Sequence, residues 1–362
     1  MTGVGVVGTG VISEEYLRNL TSFPDVRVLA VADLDPARAA AQAARHGVPR
    51  SSTVDELLAD PDIGIVVNLT VPAAHVAVST AAVEAGKHVW VEKPLGLDLR
   101  AARALLDLAA RRGVRVACAP DTLLGAGWQT ARRAVDAGRI GEPRTALALF
   151  QSPGPESWHP APEFLFQAGG GPLLDMGPYY LTGLVHLLGP IRRVTATGGR
   201  ARDTRVIGSG PRAGAEFAVT VPTTVTALVE FERGGAAQAV FSFDSALTRT
   251  GFVEVGGTLG TAVLPDPNRF DGTTELHLPD GVHALAPQGH SASRGTGVLE
   301  LARAIRAGEP ERASGELAYH VLDAMLAMEE SIAAGRSVDV GSTVEPPPAL
   351  PPDWDPLSPA AR

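Results

Sequence analysis

Val4-Gly5-Val6-Val7-Gly8-Thr9-Gly10-Val11-Ile12-Ser13 is the stretch on which the fold turns. A run of small, mostly β-branched residues reads as a strand buried on both faces, and it ends in Gly-x-Gly-x-x-Ser before opening into a helical pattern. Gly8 permits the turn, Gly10 has no Cβ to block a close-lying pyrophosphate, and Ser13 is small enough to let helix pack on strand. The amides at that helix start face the phosphates. Glycine-rich turns follow many strands for purely steric reasons, so a second feature is needed. Residues 29–32 supply it: they read as a further buried strand ending at Asp33, twenty residues beyond Ser13, where a carboxylate can accept the ribose hydroxyls of an adenosine.

Outward from this stretch, strand and helix alternate. Pro36 opens a helix over 37–46, and 55–58 is a shorter helical piece. Residues 63–69 give a third strand, followed by the Thr70-Val71-Pro72 loop. Helix 75–85 leads to strand 87–91, which ends in Glu92-Lys93-Pro94, and helix 99–112 leads to strand 114–119. Short turns between such elements specify a doubly wound parallel sheet, whose ligands lie at the carboxyl ends of the strands. This first domain spans residues 1–121. Lys93 at a strand end can reach both a nicotinamide and a substrate hydroxyl; it reads equally as an exposed lysine fixed in a turn by proline.

Composition sets the outer bounds. A chain of 362 residues makes two domains, and a net charge of −9 argues against nucleic acid or an anionic membrane as partner. Cys118 is the single cysteine, which suits a reducing cytoplasm. The apolar tract 63–83 carries Asn68, Pro72 and His75 and so does not read as a membrane span. There is no strong metal-ligand spacing and no internal repeat.

In the second half, 122–137 is helical and 144–150 a strand. Between 151 and 171 the chain is irregular and proline-rich around Trp158-His159, a pair that fits either a substrate pocket or a surface loop. Asp175 and Tyr179, four apart, share a helical face, although Pro178 leaves open whether that helix begins before or at Gly177-Pro178. His186, about 16 Å further along at 1.5 Å per residue, reads as packing. Strands follow at 191–201, 223–231, 236–243, 251–257 and 261–264, and helices at 296–307 and 316–334. Residues 122–340 form a second α/β domain, and 341–362 a proline-rich tail that wraps a surface or stays mobile.

Together the Gly-x-Gly-x-x-Ser turn, the Thr70-x-Pro72-x-x-His75 loop, Ala85-Gly86-Lys87-His88-Val89 and Glu92-Lys93-Pro94 resemble the Gfo/Idh/MocA oxidoreductases over nearly the whole chain. The resemblance implies a Rossmann domain followed by an α/β domain with an open, mostly antiparallel sheet, used for substrate binding and oligomerisation. It makes Gly8, Thr9, Gly10, Val11, Ile12, Asp33, Thr70, Pro72, His75, Glu92 and Lys93 cofactor-site residues, and Lys93 catalytic. Asp175 falls on the aspartate of the family's Gly-Gly-x5-Asp-x3-His pattern. Tyr179 takes the place of the commoner histidine, as in the glucose–fructose oxidoreductase and dihydrodiol dehydrogenase branches.

The same resemblance implies an oxidoreductase moving a hydride between NAD(P) and a secondary alcohol of a sugar, cyclitol or glycoside, working as a homodimer or homotetramer. Asp33 favours NAD over NADP, and Arg38 is too far along its helix to clamp a 2′-phosphate. Two alternatives share the sequence: a glycosidase acting by oxidation, elimination and reduction, and a non-catalytic cofactor-dependent sensor.

Overall fold

Apolar strands flanked by amphipathic helices close, in the computed structural model, into a six-stranded parallel sheet. The structure describes residues 1–290 and 292–360. The elements are β1 (Thr2–Val7), α1 (Ser13–Leu20), β2 (Val26–Ala32), α2 (Pro36–His46), β3 (Arg50–Ser52), α3 (Val54–Ala59), β4 (Ile65–Asn68), α4 (His75–Glu84), β5 (His88–Val91), α5 (Leu99–Arg112) and β6 (Val116–Cys118). Strand order is β3-β2-β1-β4-β5-β6, so the winding reverses between β1 and β4. That reversal opens a crevice at the strands' carboxyl ends, the usual ligand position of such sheets. Val4, Val6, Val31, Ile65, Val67 and Trp90 are wholly buried, as strands covered on both faces must be.

The chain divides into two compact units, and the division departs from the one the sequence indicates. The first holds Met1–Gly125 with Gly289–Tyr319 and the segment from Leu350 onward; the second holds Ala126–Gln288 and His320–Ala349. The reason is the packing of one late helix. After α6 (Ala126–Asp136), β7 (Pro143–Gln151) and α7 (Gly171–Leu188), the strands β8 (Ile191–Gly199), β9 (Thr204–Val206), β10 (Glu216–Ala218), β11 (Thr224–Phe231), β12 (Ala236–Ser242), β13 (Arg249–Gly257), β14 (Thr261–Leu264), β15 (Thr274–Leu278) and β16 (Gly281–Leu285) complete most of the second unit. Then α8 (Thr296–Ala307) buries Val298, Leu299, Leu301 and Ala302 in the first unit's core, beside Tyr16, Leu20 and Trp90. Gly297 makes this possible, because a Cβ there would lie 1.9 Å from the Trp90 ring. Amphipathicity announces that α8 packs, but not on which core.

The tail beyond Leu350 is docked on the first unit. Trp354 lies under the Arg303 guanidinium, 4.9 Å from ring centroid to Cζ. Arg303 and Arg306 both pair with Asp25, which also accepts the amide of Ala360 at 3.1 Å. The Asp25 carbonyl in turn accepts the amide of Thr2 at 2.8 Å.

In the second unit, nine strands form a mixed, mostly antiparallel sheet in the order β16-β15-β14-β13-β7-β12-β11-β8-β17. The last is β17 (Val338–Asp339), which follows α9 (Gly315–Ala334). Only β7 and β12 pair in parallel. The β11–β12 hairpin sits in register with Glu230 opposite Ala236, around the Arg233-Gly234-Gly235 turn. One sheet face is covered by α7, whose Tyr180 packs edge-on to Phe150 and Phe241. The other presents Leu147, Leu149, Thr195, Thr226, Leu228 and Val240. Helix α7 runs through Pro178 and starts at Gly171, so Pro178 does not mark its beginning. Among the described residues no helix is long and apolar enough to cross a membrane.

Candidate active site

The loop after β1 is shaped by close approach. Gly8 has φ +96°, and a Cβ there would meet the Leu69 carbonyl carbon and oxygen at 2.7 Å, so only glycine lets the β1 and β4 loops touch at the winding reversal. Gly10 differs. It has no positive φ, and a Cβ added to it would find only an Arg38 terminal nitrogen, at 3.9 Å. No packing within the protein requires glycine there, and the open space lies over the start of α1. A dinucleotide pyrophosphate fits that cradle at the positive end of the helix. Ser13, fully buried, closes the loop by donating its hydroxyl to the Gly10 carbonyl at 2.6 Å.

Asp33, at the end of β2, is held by three donors. Oδ2 accepts the amide and the hydroxyl of Thr9, both at 2.7 Å, and Oδ1 accepts the amide of Asp35 at 3.0 Å. Burial raises its pKa, but these hydrogen bonds and the Arg38 charge outweigh burial and lower it overall. A carboxylate offers about four lone-pair positions. Accepting both ribose hydroxyls therefore requires the Thr9 hydroxyl to give way.

The structure also revises the reach of Arg38. Asp35 caps α2 and Pro36 begins it, which places Arg38 in the first turn. Its guanidinium extends back to 3.8 Å from Asp33 Oδ2. Three apolar side chains stand exposed at neighbouring strand ends: Val11 at 87%, Leu34 at 99% and Val71 at 62%. Exposed apolar groups gathered at a crevice favour a flat aromatic ligand such as adenine.

Behind the crevice, Asn68 pins the β4 loop. Its side chain accepts from the Thr70 amide and hydroxyl and donates to the His75 carbonyl and the Ser79 hydroxyl. Pro72 starts the short turn Pro72–Ala74 that leads into α4. His75 is buried, with Nδ1 2.7 Å from the Pro94 carbonyl and Nε2 3.0 Å from the Thr70 carbonyl. Its burial outweighs both carbonyls and holds its pKa down. The ring braces two loops and presents no free edge to a ligand. Glu92 is similarly enclosed, accepting the Tyr16 hydroxyl and the Lys93 amide.

Lys93 and Lys87 are the chain's only lysines among 31 basic residues. Lys87 donates its ammonium to the Asp60 carbonyl at 2.6 Å. Lys93 stands at the carboxyl end of β5, one residue past Glu92, and its charge is felt at His75 and Cys118. An amine can lose its proton near neutral pH once perturbed, whereas a guanidinium cannot.

In the second unit, Asp175 is the one residue of α7 that is not buried. Tyr179 lies one turn on, along the same face. His186 is buried near Arg132, with Nδ1 3.3 Å from its guanidinium. The loop after β7 carries Trp158, 67% exposed, packed edge-on to His159, which packs in turn on Phe164. His159 Nδ1 accepts the Ala161 amide at 3.0 Å, so the neutral ring carries its proton on Nε2 and can donate there but not accept. The loop is anchored by the buried Arg205, which pairs with Glu156 and Asp244 and donates to the Pro153 carbonyl.

Comparison with known proteins agrees with the fold. Residues 2–119 match the family model described as "Oxidoreductase family, NAD-binding Rossmann fold", and 128–263 match "GFO/IDH/MocA C-terminal domain". A 1,5-anhydro-D-fructose reductase of Ensifer adhaerens is 28% identical over 93% of this chain and 98% of its own length. A trans-1,2-dihydrobenzene-1,2-diol dehydrogenase of Bos taurus is 30% identical over 73% and 74%. Among solved structures, levoglucosan dehydrogenase in complex with NADH and L-sorbose superposes with a TM-score of 0.83 at 21% identity, covering 94% of this chain and 99% of that one.

Proposed function

Because the chain belongs to the Gfo/Idh/MocA oxidoreductase family, we propose that it interconverts a secondary alcohol and a ketone on a sugar, cyclitol or glycoside, with NAD as the favoured partner. The observation that carries the catalytic part is Lys93: one of two lysines in an arginine-rich chain, placed at the carboxyl edge of the parallel sheet. The nicotinamide, when bound, takes the hydride from carbon or returns it. In the oxidative direction the substrate hydroxyl loses its proton as the C–H bond breaks. Lys93 steadies the developing alkoxide and joins in the proton transfer, and Tyr179 relays the proton. Asp175 orients a substrate hydroxyl, and Trp158 and His159 contribute stacking area and a donor N–H to the sugar. The substrate class rests on what the relatives are named for.

Asp33 supports NAD, since a 2′-phosphate would crowd its carboxylate; Arg38 pulls the other way and narrows the preference. The uncovered sheet face with Leu147, Leu149, Leu228 and Val240 suits a second copy of the chain, giving a dimer or tetramer. A single buried thiol suits the cytoplasm. The deciding experiment follows nicotinamide absorbance across a panel of sugars, cyclitols and glycosides with both cofactors. With the best substrate, Lys93→Met and Tyr179→Phe should each lose about 10² to 10⁴ in turnover at nearly unchanged NAD affinity. Turnover within about threefold of the parent in either variant would remove that residue from the chemistry. Release of an aglycone without accumulation of reduced cofactor would identify a glycosidase instead.

A further inference from the structure

Asn68 ends β4, a strand otherwise made of Ile65, Val66 and Val67, and like them it is wholly buried. An amide side chain is costly to bury unless both its donors and its oxygen are used. Here all are. Oδ1 accepts the Thr70 hydroxyl at 2.6 Å and the Thr70 amide at 3.2 Å, and Nδ2 donates to the His75 carbonyl at 2.9 Å and the Ser79 hydroxyl at 3.0 Å. An apolar residue would sit there without that requirement, but it would not hold the loop leaving β4 and the start of α4 to one point.

Thr70 is thereby turned inward. Its hydroxyl proton and its amide are engaged by Asn68, and its carbonyl lies 3.0 Å from His75 Nε2. Leu69, the residue before it, is pressed against Gly8, where a Cβ would lie 2.7 Å from the Leu69 carbonyl atoms, so the turn has no room to recede toward the β1 loop. What the turn exposes is the next side chain, Val71, at 62%. We propose that Asn68 is a positioning residue for the dinucleotide: it fixes the Thr70 turn so that the Val71 side chain, and not the Thr70 hydroxyl, meets the cofactor. The inference rests on the reading that NAD occupies this crevice. A turn already ordered in the free protein loses no further freedom when the ligand binds, and that is where the buried amide contributes to affinity. Released from Asn68, the turn keeps Val71 but no longer holds it in place.

Calorimetric titration with NAD reads the effect without a substrate. Asn68→Ala should bind NAD at least about fivefold more weakly than the parent. Val71→Ala should weaken binding at least about threefold in the parent but less than about twofold in the Asn68→Ala background, because a turn that is no longer held does not present the side chain. Thr70→Val should also cost less than about twofold in that background, since its hydroxyl acts only through Asn68. Ala109→Gly, which removes a buried methyl group from the last turn of α5, controls for lost stability in the same unit: it should lower Tm and leave NAD affinity within about threefold. Should Asn68→Ala not fold, Asn68→Val, which makes none of the four bonds, replaces it throughout with the same expectations. A smaller loss in Asn68→Ala or in Val71→Ala, a larger loss from Thr70→Val or Val71→Ala in the Asn68→Ala background, or an Ala109→Gly loss beyond that limit overturns the inference, while NAD binding by the parent leaves the cofactor reading standing. A parent that binds neither NAD nor NADP overturns both.

Discussion

Two glycines of one loop should respond in opposite ways to the same added methyl group. Gly8→Ala puts a Cβ 2.7 Å from two backbone atoms of Leu69 at φ +96°. The conformational penalty is about 1–2 kcal/mol and the overpacking about 1–3 kcal/mol. A loss of about 2–5 kcal/mol corresponds to a fall in Tm of roughly 5–15 °C for a unit of this size. Gly10→Ala meets no atom closer than 3.9 Å at an ordinary φ, so the fold should be unaffected, or firmer by up to about 1 kcal/mol from the stiffer unfolded chain. Its methyl group nonetheless stands in the space assigned to the pyrophosphate. NAD should bind it at least about tenfold more weakly, which is about 1.4 kcal/mol. Differential scanning fluorimetry and calorimetric titration with NAD, run on both variants, measure the two effects separately. Gly10→Ala binding NAD within about threefold of the parent would move the pyrophosphate elsewhere, and Gly8→Ala melting with the parent would refute the close-approach argument.

The parent should bind NAD at least about tenfold tighter than NADP, and Arg38→Ala should widen that ratio; a ratio that narrows would exclude Arg38 from 2′-phosphate contact. Arg205→Met should cost about 3–5 kcal/mol by stranding Glu156 and Asp244, read from denaturant unfolding, and an unchanged midpoint would show that the triad adds nothing. Burial holds His75, His88 and His320 below their unfolded value of about 6.5, so the unfolded chain binds more protons and stability, full above that pH, falls on acidification. Asp121, pushed up to about 6 by burial, works in the opposite sense below that pH and offsets part of the decline, so stability falls as the pH drops from about 7 to 6, and a Tm that rises over that range contradicts the assignment. Leu228→Glu on the open sheet face should shift light scattering toward the monomer, and an unchanged mass would place the interface elsewhere.

Much of the first unit is legible in the sequence because parallel strands covered on both faces read as unbroken apolar runs, and β1, β2, β4 and β5 do so. Asp33 follows from its distance past Ser13. Other features carry no local signal. Whether α8 joins one core or another depends on Gly297 meeting Trp90, a contact between residues far apart in sequence. The paired β9 and β10, three residues each, are too short to show the alternation that marks a strand. Counting residues along α2 puts Arg38 out of range, whereas the length of its side chain decides its reach. The hydrogen bond from Tyr16 to Glu92 joins residues 76 apart, so no local pattern announces it.

The meeting at Asp25 bears on how the protein is made. The first unit begins with Thr2 bonded to the Asp25 carbonyl, yet the side chain of that residue waits for Arg303, Arg306 and Ala360. Residues 126–288 leave the ribosome before any of those three partners exists. At about 5–20 residues per second, that interval is roughly ten to thirty seconds. During it the parallel sheet lacks α8 and leaves Trp90 without its cover. The second unit is also completed late, since His320–Ala349 belong to it, but the unit started first is the last to be finished. A nascent chain stalled before residue 296 should therefore hold an unfinished dinucleotide domain, the natural target for a chaperone that binds exposed apolar strands.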